Sequence, residues 1–159
     1  MGTSGSTKEQ LVSHLSGGHA FMPVEELLKK ISFKDVGKRP KGLPYSFYEQ
    51  FYHLKFTQQD ILNYCRNKDY EEHSWPEDYW PDHQAPSNEK EWEHLKSDFF
   101  KEREALAAHV LDPENDLSDP VPSNEKHSIF REIMLVIEHT AYHTGQLLII
   151  LRLLGLHSS

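Results

Sequence analysis

The sequence predicts an all-α fold, a four-helix bundle with long connections between its helices. Two observations carry that expectation. Apolar residues return at three- and four-residue steps in four separate stretches, and no stretch reads convincingly as a strand. The segments between them are long and broken by glycine and proline. At 159 residues the chain has the length of a single domain with one core, spanning 1–159.

The first helix is expected from Thr7 to Ile31, with Leu11, Leu15, Met22, Leu27, Leu28 and Ile31 on its apolar face and Gly17-Gly18 as an interruption. The second is expected from Tyr45 to Arg66, marked by Phe47, Phe51, Leu54, Ile61 and Cys65. The connection "NKDYEEHSWPEDYWPDHQAPS" follows. A stretch that long is functional or packed by its own side chains, and Trp75 and Trp80 favour packing against the bundle. The third helix begins near Ser87 or Asn88, either of which can accept a hydrogen bond from a free backbone N–H, and runs to Val110. The fourth is expected from Asn124 to Leu154, ending at Gly155. "SNEK" occurs at Ser87 and again at Ser123, read as shared capping chemistry at two helix starts.

Composition narrows the function classes. Hydrophobic residues are 37% and charged residues 26%, polar but not a disordered composition. A net charge of -8 without a Lys/Arg cluster argues against binding nucleic acid. The longest apolar run, Leu147 to Leu151, stops at Arg152, far short of the ~20 residues of a membrane span. The start reads as no signal peptide, and the lone Cys65 allows no internal disulfide; both fit a cytoplasmic protein. Helix four is apolar on more than one face, which predicts a second burial surface and hence a homodimer.

Histidine is the unusual residue, with 11 copies. His139 and His143 stand four apart in an otherwise apolar helix. That spacing stacks two imidazoles on one face, with Cβ atoms roughly 6 Å apart. Two readings follow: a pair of metal ligands, or two partly buried histidines hydrogen-bonded to neighbours. The first needs a further ligand. His53, beside the apolar face of helix two, is the best candidate; His14 and His19 are weaker ones. The Glu of a His-Glu-x-x-His metalloprotease is missing, because Thr140 follows His139.

"GGHAF", "YSFYEQFYHLKFTQQDIL", "WPEDYWP" and "EHTAYHTGQLLIILRLLG", in that order, resemble the DinB family of small bundle proteins. The resemblance covers most of the chain and implies a bundle of DinB-like topology. It implies a divalent metal held by one histidine of helix two and two of the last helix, here His53, His139 and His143. Zinc, nickel and iron all suit imidazole, as does copper.

The resemblance also implies function. Related proteins include metal-dependent transferases of low-molecular-weight thiols and some regarded as metal-dependent hydrolases. The first reading is thus transfer of a small thiol such as bacillithiol, mycothiol or glutathione to an electrophile, in detoxification or a stress response. The alternatives are a metal-dependent hydrolase and a non-catalytic dimeric metal-binding protein. Gln146 is the candidate for contact with substrate or with a ligand, and His19 the catalytic candidate of the hydrolase reading. Tyr142 is expected packed or at an interface, and Gly145 to let a neighbouring helix approach. Asp60 is expected to be a solvated or helix-bonded carboxylate. Cys65, about 18 Å along the helix from His53, is expected to be a buried structural thiol.

Overall fold

The computed structural model describes residues 6–158. Among these the order is α1 (Thr7–Ser16), α2 (Val24–Leu28), α3 (Phe47–Arg66), a 3-10 turn (Glu77–Tyr79), α4 (Glu89–Leu111), a hairpin of β1 (Pro120–Val121) and β2 (Asn124–Ser128), and α5 (Ile129–Leu153). The protein is mainly helical, as expected.

Two helices differ from expectation, each for a local reason. The helix expected over Thr7–Ile31 is two helices, because Gly17 and Gly18 both take positive φ, a backbone that ends α1 and that residues with a Cβ rarely adopt. Helix four does not start at Asn124. Residues Asn124–Ser128 pair antiparallel with Pro120–Val121 across an irregular register, and helix begins only at Ile129. Ser128 caps it by accepting from the Arg131 N–H at 3.2 Å. Accordingly only the first "SNEK" opens a helix: Asn88 caps α4, accepting from the Glu91 N–H at 2.9 Å, whereas the second lies in the hairpin.

Helix α3 starts from a reciprocal cap. Ser46 Oγ accepts from the Glu49 N–H, and the Glu49 carboxylate accepts from the Ser46 N–H at 2.7 Å. The same Ser46 hydroxyl donates to the Gln84 carbonyl at 2.6 Å, tying the far end of the long connection to the start of α3. Gly37 permits that seat, since a Cβ there would lie 2.3 Å from the Ala85 side chain.

Helix α3 packs on α4 and α5, and α1 packs on α4 and α5. The core falls into two apolar clusters. One gathers Phe47, Phe51, Trp92, Phe99, Leu147 and Ile150; the other gathers Leu15, Leu62, Leu106, Val110, Ile133 and Val136. Between them, along α3, α4 and α5 alike, lies a polar layer. Its centre is Arg103, whose guanidinium donates to Gln58 Oε1 at 2.5 Å, to the Leu15 carbonyl, and to Thr140 Oγ1 at 3.2 Å. Burial pushes this guanidinium down to about 10, still charged at neutral pH. No helix among the described residues is long and apolar enough to cross a membrane.

Candidate metal centre

The three histidines expected as ligands come together. His53 projects from α3, and His139 and His143 from α5; their candidate ligand atoms all lie within 4.8 Å of one another. Ring centroids are 4.9 Å apart for His53 and His139, 4.6 Å for His53 and His143, and 4.3 Å for His139 and His143. The i,i+4 spacing on α5 stacks two rings, and the close packing of α3 on α5 brings in the third. His53 and His143 are buried, at 2% and 6% exposure, whereas His139 is half-buried.

Hydrogen bonds fix which nitrogen each buried ring offers. The Tyr79 carbonyl, which can only accept, lies 3.1 Å from His53 Nδ1. Nδ1 therefore carries the proton and Nε2 keeps its lone pair. Gln50 Oε1 accepts from His143 Nδ1 at 2.7 Å, with the same result. His139 Nε2 stands 3.1 Å from His53 Nε2. Metal–nitrogen bonds of ~2.0–2.1 Å about an octahedral or tetrahedral centre set neighbouring ligand nitrogens ~2.8–3.4 Å apart.

The electrostatics agree. Burial pulls the His53 pKa below its ordinary value, partly offset by the bond to Tyr79. Burial first, and then the neighbouring histidines, push His139 down to about 4 and His143 to about 3. All three imidazoles are thus neutral at neutral pH, the state that binds a metal. Three neutral nitrogen donors, two of them aimed by second hydrogen bonds, fit a divalent cation with coordination positions to spare.

The long connection covers the site. Trp80 stacks on the His53 ring at 4.1 Å with the planes 3° apart. Asp60 anchors this cover: buried, it accepts from the Tyr79 hydroxyl at 2.6 Å and the Tyr70 hydroxyl at 2.8 Å. It is therefore not the solvated or helix-bonded carboxylate expected. Packing of the connection is right for Tyr79 and Trp80, but Trp75 stays 66% exposed.

Other expected residues fall elsewhere. His19 is exposed, its Nε2 2.8 Å from Ser13 Oγ and its ring against His14, and it is not part of the three-histidine group. Gln146 is half-buried and makes none of the contacts to the three rings described above; Gln50, which sequence reasoning missed, holds the position beside His143. Its signal was available, three residues before His53 and so on the same helix face. A Cβ on Gly145 would meet nothing within 4 Å, so among the described residues no helix approaches there. Tyr142 is 67% exposed beside His143 and is not packed within this chain. Cys65 is buried as expected, and burial pushes its thiol up to about 12.

Comparison with curated proteins and with solved structures gave no match. The family model of the DinB superfamily matches residues 20–147, a span that holds α2, α3, α4, most of α5 and all three histidines. By that match, over most of its length, the chain belongs to the DinB superfamily.

Proposed function

We propose that this chain is a divalent-metal-dependent enzyme that transfers a low-molecular-weight thiol to a small electrophile, in detoxification or a stress response. The reading takes 1–159 as one domain, with α1, α3, α4 and α5 as the four helices of a DinB-like bundle. The observation that carries it is a group of three neutral imidazoles, His53, His139 and His143, with no carboxylate in it. A bound divalent ion supplies a Lewis acid that favours the thiolate of a thiol reaching it. The chain's own part is to present Nε2 of His53 and of His143 without their protons, and to cover the His53 face with Trp80. A thiol ionised in this way needs little help from a protein base.

The hydrolase alternative has less support. A hydrolase wants a base to handle the protons of water. Both Asp60 oxygens already accept from tyrosines, and exposed His19 lies against Ser13 and outside the histidine group. Phe130, Met134, Tyr142, Ile149 and Leu153 form an exposed apolar stripe down α5, which supports a homodimer. The lone buried Cys65 suits a reducing cytoplasm.

The test is elemental analysis of untagged protein beside His143→Ala, followed by thiol consumption with an electrophile such as 1-chloro-2,4-dinitrobenzene. One ion per chain, lost in the variant, with metal-dependent consumption of thiol is the expected result. Metal without thiol consumption sinks the transferase reading and leaves the non-catalytic one. Hydrolysis of an ester panel instead, lost on chelation, makes it a hydrolase.

A further inference from the structure

Of the three histidines only His139 is half-buried; His53 and His143 are buried, and Trp80 covers one face of His53. A molecule coming from solvent thus reaches the group past His139. On that side lies a groove of about 360 Å³ between α3 and α5, lined by Thr57, Ile61, Leu135, Glu138, His139 and Tyr142. We infer that this groove is the entrance to the three-histidine site and takes the apolar body of its ligand, a small molecule with an aliphatic or aromatic portion and a metal-binding head. The inference rests on the metal-site reading above and names the substrate class of that site.

Four observations point the same way. The volume falls in the ~300–1,000 Å³ range of small-molecule sites. The walls are mainly carbon, with Glu138 the one carboxylate, and exposed. Tyr142 leaves a large ring in water at the groove, with its centroid 5.0 Å from that of His143. Lastly, the Thr57 hydroxyl is buried without a hydrogen-bond partner, one helical turn from His53. A threonine in a helix ordinarily satisfies its hydroxyl on the carbonyl four residues back. A lone unsatisfied polar atom in an apolar wall suits a site that orients a ligand. A second copy of the chain docked on α5 meets the exposed stripe first, whereas Thr57, Ile61 and Leu135 are half-buried below it.

Cobalt(II)-loaded full-length protein tests this with two ligand series, n-alkyl thiols and n-alkyl hydroxamates from two to six carbons, followed by the visible cobalt spectrum. The expected result is a Kd falling about 3- to 4-fold per methylene in both series, as burial of a CH2 group requires. Leu135→Asn, and the milder Ile61→Ala in case the first fails to fold, should flatten that slope with cobalt content unchanged. A Kd independent of chain length overturns the groove while leaving thiol binding intact. Length dependence among hydroxamates with no thiol bound keeps the groove and sinks thiol transfer. Binding of neither series overturns both. A Leu135→Asn variant that dissociates a dimer in sedimentation, with ligand slopes unchanged, assigns the groove to a second copy and overturns the proposal.

Discussion

Gln50 and the Tyr79 carbonyl do the same thing for different rings: each holds the Nδ1 proton of one histidine and leaves its Nε2 free to bind. Such partners commonly carry a factor of ~10–100 in metal affinity. Gln50→Leu should therefore weaken metal binding by about that factor with little loss of fold, measured by competition with a chromophoric chelator. Asp60 acts one step further out. Asp60→Asn loses the charge that two tyrosine hydroxyls donate to, and should loosen the connection that presents the Tyr79 carbonyl and Trp80. Faster amide exchange over residues 70–80, together with weaker metal binding, is the expected outcome; unchanged exchange would show that the tyrosines hold the cover without it. Much of this site could be read from the sequence because helical periodicity decides it: four residues bring His139 and His143 to one face, and His53 stood out as the third candidate by its place beside the apolar face of its helix, which the resemblance also implied. What could not be read was how residues far apart in the chain meet, as Tyr79 and His53 do.

At the scale of elements, the long helices were legible and the short structures were not. Helices α3 and α4 begin within two residues of expectation because Ser46 and Asn88 are strong capping residues followed by acidic ones. The expected first helix failed at Gly17-Gly18, where apolar spacing continues across a backbone that cannot. The hairpin escaped notice because strands of two and five residues show no usable alternation, and because "SNEK" is equally good turn and cap chemistry. The caps differ in what they carry. Ser128→Ala removes one hydrogen bond and should cost about 1 kcal/mol of stability in a urea melt. Ser46→Ala also releases the Gln84 carbonyl and should cost more, about 2 kcal/mol.

For the whole molecule, the buried histidines make stability depend on pH. His139 and His143 hold folded-state pKa values of about 4 and about 3 against 6.5 when unfolded. The unfolded chain thus takes up protons first as pH falls. Their contribution is complete above pH 6.5 and is lost progressively towards pH 3–4. Thermal melts of metal-free protein from pH 7.5 to 4 should show that decline, and His139→Gln/His143→Gln should reduce it. Added zinc should raise the melting temperature at pH 7.5 and do progressively less as protons compete for the same nitrogens. The layer around Arg103 has a different consequence. Apolar clusters above and below it are tolerant of sliding, since one greasy contact replaces another. A shift of α4 by one turn, about 5.4 Å, takes a charged guanidinium away from Gln58, the Leu15 carbonyl and Thr140 together and leaves it buried without acceptors. Misregistered packings are therefore excluded by a single side chain, and α3 and α5 return to the one alignment in which His53 faces His139 and His143 even when nothing is bound between them.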